Sequence, residues 1–183
     1  RVTHHDLVRQ GKVRYAGCSN YNGYQLMEAV LTARHAGLHE FVSLQPHYSL
    51  VERENYETHT LPVARQFGLG VIPYSPLGGG FLTGKYRRDT PVPDSKRAEG
   101  VQKRYMNERG FAAVDKLEEV GRAHDATIAQ TAIAWCLANP AVTSAIIGAT
   151  SVAQLDDTVR GADVKLSAEE KAALDTLTQW GSG

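Results

Sequence analysis

Apolar residues recur along this chain at two spacings, and the switch between them marks out the elements. The alternating stretch Lys12 to Cys18, carrying Val13, Tyr15 and Ala16, predicts a strand. Leu26, Ala29, Val30 and Ala33 follow at i, i+3, i+4, i+7, which predicts an amphipathic helix ending near Gly37. Phe41 to Gln45 predicts a second strand. Glu54 to Phe67 predicts a helix packing Leu61, Val63 and Ala64, stopped by Gly68 and Gly70. The short apolar run Val71 to Tyr74 predicts a third strand, covered on both faces as in a parallel sheet.

In the second half, Met106 to His124 places Phe111, Val114, Leu117 and Val120 on one helical face. Thr127 and Gln130 make a capping box for a helix running to Ala138, apolar almost all round and therefore buried. Asn139-Pro140 stops it. Val142 to Gly148 predicts a fourth strand and Ser151 to Arg160 a further helix. Ser167 and Glu170 make a second capping box, opening a terminal helix that turns Ala168, Leu174 and Leu177 inward. At the start, Arg1 to Gln10 reads as the end of a helix with Gly11 at its C′ position. Leu77 to Tyr105 shows no periodicity and reads as a long loop, functional or mobile.

Strand, polar pair and helix thus repeat, which predicts an α/β chain of parallel βα units. The polar residues gather where strands end: Ser19 and Asn20, Gln45, Tyr74 and Ser75, then Gly148 to Ser151. Parallel α/β folds place ligands at those ends. The pattern fits either a doubly wound sheet or part of a (β/α)8 barrel. No G-x-G-x-x-G follows a strand, which weighs against a Rossmann site. The stretch Gly70 to Lys85 joins an apolar run, an aromatic, a hydroxyl, three glycines and a lysine. It reads either as an anion cradle closed by Lys85 or as an ordinary strand exit with a flexible turn.

Composition narrows the function classes. At 183 residues the chain is expected to form a single domain, 1–183. Twenty basic and twenty acidic residues cancel, so nothing points to nucleic acid or to an anionic membrane as a partner. No apolar run reaches the roughly 20 residues that span a bilayer. Cys18 and Cys136 have no metal-like spacing and make no disulfide framework, so a cytoplasmic setting is expected. The seven histidines are scattered and read as surface or structural; His47, two residues after Gln45, is the nearest of them to lining a strand-exit pocket. The chain opens at Arg1, inside the first helical stretch, and a fragment or a processed product of a larger protein is the expectation.

Four motifs carry a family likeness: Gly17-Cys18-Ser19-Asn20-Tyr21, Leu44-Gln45-Pro46-His47-Tyr48-Ser49-Leu50, Tyr74-Ser75-Pro76-Leu77-Gly78, and Ile146-Ile147-Gly148-Ala149-Thr150 with Gln154-Leu155. Each is weak alone. In register over the whole chain they resemble the C-terminal half of the aldo-keto reductases. The resemblance implies strands five to eight of a (β/α)8 barrel that binds NADPH in an extended conformation and reduces a small carbonyl substrate. It implies that Ser19, Asn20 and Gln45 meet the nicotinamide carboxamide and that Tyr74 stacks on the ring. Ser75, Leu77, Gly79 and Lys85 would line the pyrophosphate, with Arg97 as a second loop cation for which Arg87 and Arg88 compete. Gly148, Thr150 and Gln154 would hold the 2′-phosphate, with Asp157 and Thr158 beside adenine. Those last two depart from the family's Glu-Asn, and no arginine stands beside Thr150, so NADPH over NADH rests on family precedent.

The family's catalytic tetrad belongs to the other half of the barrel, so no catalytic residue is expected here. A half barrel leaves two open strand edges. They are to be covered by the missing N-terminal half, by a second copy, or by the chain's own helices and long loop. The alternative function is a non-catalytic nucleotide-binding module, like the family's channel β subunits, or an inactive half-barrel fragment.

Overall fold

The structure, a computed structural model, describes residues 3–180. Its elements are α1 (His4–Arg9), β1 (Ala16–Ser19), α2 (Gly23–His35), β2 (Phe41–Gln45), a π-helical turn (Tyr56–Thr60) running into α3 (Leu61–Phe67), and β3 (Gly70–Val71). A 3-10 turn (Gly78–Thr83) leads to α4 (Ala98–Tyr105), α5 (Glu108–Arg122), α6 (Ile128–Leu137), α7 (Val152–Val159) and α8 (Ala168–Leu177). The sheet is parallel throughout, in the order β1-β2-β3. Among the described residues no helix is long and apolar enough to cross a membrane.

Local chemistry set several boundaries as expected. The capping boxes at Thr127/Gln130 and Ser167/Glu170 both form. Gly11, Gly37 and Gly68 take positive φ at helix ends, a conformation that glycine adopts without a Cβ penalty. Phe111, Val114, Leu117 and Val120 are buried, and α6 buries every residue from Ala129 to Cys136.

Other expectations are corrected. The first helix starts at His4, where Thr3 and Asp6 close a capping box; Arg1 and Val2 of that reading lie outside the described residues. The first strand begins at Ala16 rather than Lys12, because the Leu7 carbonyl accepts from the N–H groups of Lys12 (3.0 Å) and Val13 (3.3 Å) and curls that stretch onto α1. The region 77–105 is not a structureless loop. It holds the 3-10 turn and α4, whose buried face is only Val101 and Tyr105, too few apolar positions to show a period. In α8, Leu174 is fully buried while Leu177 is 38% exposed and Ala168 is exposed; Thr178 takes the inward place.

The fourth strand is reduced to two parallel bridges, Val71 with Val142 and Tyr74 with Ile146. The Thr143 N–H donates to the Val71 carbonyl (2.8 Å) and the Ile146 N–H to the Pro73 carbonyl (2.8 Å). A continuous ladder fails for two reasons. Pro73 has no N–H to give. The Val71 N–H donates instead to the Thr143 side chain (3.2 Å), a side-chain acceptor displacing a backbone one.

Candidate functional site

The polar strand exits lie side by side because the strands do. Ser19 pairs with Gln45 across β1 and β2, and His47 pairs with Tyr74 across the next gap. Ile146 then bridges to Tyr74 on its other side. The Ser19 hydroxyl donates to the Gln45 carbonyl (2.8 Å), and the Asn20 N–H reaches the same oxygen (3.4 Å). The Tyr74 hydroxyl donates to Asn20 Oδ1 at 3.0 Å, joining the first exit to the third. Among the described residues, the Asn20 amide nitrogen and the Gln45 side-chain amide have no protein hydrogen-bond partner. They remain available to a ligand that both donates and accepts.

The backbone is strained where these groups turn over. Asn20 (φ 57°) and Ser75 (φ 55°) occupy the left-handed region. Asparagine tolerates it; serine at that φ carries a cost of the order of 1 kcal/mol. The glycine turn continues the pattern, with positive φ at Gly78, Gly79, Gly80 and Gly84. The Leu77 carbonyl accepts from Gly80 (3.0 Å) and Leu82 (3.1 Å) and so nucleates the turn.

Two cations border this turn. A β-carbon on Gly80 would stand 3.3 Å from Lys85 Nζ, and one on Gly79 would stand 4.0 Å from Arg97 Cδ. Among the described residues neither Lys85 nor Arg97 makes an ion pair. Arg87 instead pairs with Glu118 (3.2 Å), and Arg88 with Asp115 (2.7 Å) and Glu108 (3.4 Å). Two of the three arginines are thus engaged by carboxylates of α5, although Arg87 Nη2 also stands 3.2 Å from where a β-carbon on Gly84 would be.

After Ile146 the chain runs out to the N-terminus of α7. Ser151 caps it, and Gln154 Oε1 accepts from both the N–H and the hydroxyl of Thr150, each at 2.9 Å. Gly148, Thr150 and Gln154 are exposed around free helical N–H groups. Asp157, at i+3 from Gln154 on the same helix, is engaged by the protein. Its carboxylate accepts from Gln130 Nε2 (2.9 Å) and lies 3.3 Å from the Thr127 hydroxyl, at the start of α6. Thr158 is buried.

His47 is the residue that sequence reasoning left at the margin. Its ring stacks on Tyr74 with centroids 5.0 Å apart and planes 6° from parallel. Burial pushes its pKa below the ordinary histidine value; Glu52 pulls the other way and Arg104 adds to the lowering. The i, i+2 step from Gln45, which puts both side chains on one face of a strand, was the available signal. A separate groove of about 510 Å3, lined by Tyr15, Phe41, Phe67 and Leu69, sits at the strand starts, away from this cluster.

The chain matches the profile of the Aldo/keto reductase family over residues 3–179. It is 39% identical over 171 residues to "Uncharacterized oxidoreductase YrpG" of Bacillus subtilis, covering 93% of this chain and 50% of that protein. It is 32% identical over 178 residues to "Aldo-keto reductase str7" of Strobilurus tenacellus, covering 95% and 51%. A rice protein named "Probable voltage-gated potassium channel subunit beta" is 33% identical over 162 residues, covering 86% and 49%. The chain spans about half the length of the curated relatives it matches.

Proposed function

Since the chain belongs to the aldo/keto reductase family, we propose that it supplies the NADPH-binding half of an enzyme that reduces a small aldehyde or ketone. The observation carrying this reading is the Tyr74–Asn20 hydrogen bond, which joins exits 54 residues apart, with Gln45 paired beside them on β2. The open amides of Asn20 and Gln45 suit a carboxamide, and the Tyr74 ring offers a flat wall beside them. The glycine turn with Lys85 and Arg97 suits a diphosphate, and the N-terminus of α7 at Thr150 suits a terminal phosphate. Ser75 and Leu77 shape the turn. Ser19 contributes by holding the Gln45 backbone.

When bound, the dinucleotide supplies the hydride that reduces the carbonyl carbon. The residues here orient and hold. Proton delivery to the carbonyl oxygen falls to the tetrad that the family likeness assigns to the other half of the barrel.

The half-barrel reading has its own support. Helix α2, after the first strand, exposes Tyr24 (73%), Met27 (38%) and Leu31 (47%) at i, i+3, i+7. Helix α7, after the fourth, exposes Val152 (74%), Leu155 (44%) and Val159 (53%) at the same spacing. Apolar stripes on both flanking helices suit a structure continued on each side by further βα units.

Replacing Tyr74 with Ala should weaken NADPH binding by about 1–2 kcal/mol, roughly 5- to 30-fold, through loss of the stacking wall. Fluorescence titration reads this directly, and an unchanged Kd counts against the assignment. The rice relative's name supports a second reading, nucleotide binding without turnover. NADPH oxidation driven by an aromatic aldehyde, measured with the other half of the barrel supplied, separates the two.

A further inference from the structure

We propose that His47 is a positioning residue for Tyr74, its imidazole fixing the plane of the phenol ring so that the opposite face stays presented to a planar ligand. This rests on reading the strand exits as a nicotinamide site.

The Tyr74 ring is held at one point by its hydroxyl, which donates to Asn20 Oδ1. That bond lies on the axis from Cβ through the ring to the oxygen. Rotation about this axis leaves the hydroxyl in place, so the hydrogen bond sets where the ring points but not which way its faces look. The χ2 torsion of tyrosine is itself broad. A second contact must set the plane, and the parallel stack with His47 is the one the structure provides. Among the described residues no other aromatic ring packs on Tyr74, so the stack covers one face and leaves the other without an aromatic partner.

His47 is well placed for this role. It pairs directly with Tyr74 across the sheet, which brings the two side chains out on the same side. The Tyr74 N–H donates to the Pro46 carbonyl (2.9 Å) and the Tyr48 N–H donates to the Tyr74 carbonyl (3.4 Å), bracketing His47. Tyr48, the next residue, is 1% exposed and anchored by its hydroxyl to Glu57 (2.8 Å) and Asn139 (3.2 Å). The charged groups acting on His47 are Glu52 and Arg104, of opposite sign, and Glu52 also accepts from the Tyr105 hydroxyl (3.5 Å). Burial dominates and favours the neutral imidazole.

The test compares His47→Ala with His47→Phe in the protein, reading NADPH affinity and the ring resonances of Tyr74, assigned with Tyr74→Phe. His47→Ala should raise Kd about three- to tenfold and shift the Tyr74 ring signals, while His47→Phe, which restores a flat partner, should return Kd to within about twofold. In the wild type the Tyr74 ring signals should follow the titration of His47. Because burial lowers the folded pKa, the stability owed to neutral His47 is present above about pH 6.5 and lost as pH falls below it. That slope should be missing from His47→Phe. If His47→Ala leaves both Kd and the ring signals unchanged while Tyr74→Ala still weakens binding, the proposal is overturned and the nicotinamide reading stands. If neither variant changes Kd, the nicotinamide reading fails, and the ring signals alone uphold or overturn the role of His47 toward Tyr74.

Discussion

Two polar clusters in this chain are built to opposite rules. Around Arg53, each charged group is met by the protein. Arg53 donates to Glu57 through Nε (2.9 Å) and Nη2 (3.0 Å), and through Nη1 to the Asp175 carbonyl (2.8 Å) and the Thr178 hydroxyl (2.9 Å). Its guanidinium lies over Trp135 and Trp180, at 5.4 and 5.0 Å from the ring centroids. Asp175 in turn accepts from Trp135 Nε1 (2.8 Å) and Lys171 (2.6 Å). At the strand exits, by contrast, two amides stand open and two cations lack carboxylates among the described residues, and two residues sit in left-handed backbone. A polar group that the chain satisfies itself serves the fold. One that the chain holds in place but leaves unsatisfied is suited to a ligand.

The largest effect that would break this contrast is on stability. Arg53→Ala removes a cation with a 9% exposed side chain and leaves the Glu57 carboxylate, 16% exposed, without a counter-charge and with only the Tyr48 hydroxyl donating to it. Unfolding free energy should fall by about 3–5 kcal/mol, read from urea denaturation. Affinity for NADPH per folded molecule should be unchanged. A loss below about 1 kcal/mol would mean that the cluster is no more structural than an ordinary surface pair.

Asp157 tests the border between the clusters. Family likeness puts it beside adenine, yet its carboxylate serves Gln130 and lies against Thr127. Asp157→Ala should lower stability by about 1 kcal/mol, the scale of a partly exposed hydrogen bond. Its Kd for NADPH should match the wild type within twofold. A larger change would place Asp157 at the proposed cofactor site.

The same division explains what could be read from the sequence. The capping boxes at Thr127 and Ser167 were legible because both partners lie three residues apart. β2 was legible because Val42, Ser43 and Leu44 are a compact run between polar ends. Asn20, Gln45 and Tyr74 were legible one by one as polar strand exits, but which of them touch depends on strand order, which no local pattern carries. Nothing in the i, i+4 spacing of Arg53 and Glu57 signals burial; only the packing of α6 and α8 over them reveals it. Helix α4 was invisible because two inward residues in a charged stretch make no period. The fourth strand was legible as a segment, but its loss of pairing to the Thr143 side chain was not.

The smallest effect has the opposite sign and sharpens the contrast most. Ser75 holds φ 55° at the third exit, and its carbonyl accepts from Gly78 (2.9 Å) to start the glycine turn. Glycine reaches that φ without a Cβ clash, though it also loosens the unfolded chain, so the two effects partly cancel. Ser75→Gly should therefore raise stability by about 0.5 kcal/mol while loosening the turn. Stability and NADPH affinity should move apart: a slightly higher urea midpoint and a weaker Kd. In a site whose strain serves binding, relief of the strain costs the ligand. A drop in stability in Ser75→Gly would show that the serine is unstrained there, and the distinction between the strand exits and the Arg53 cluster would then rest on the open amides and unpaired cations alone.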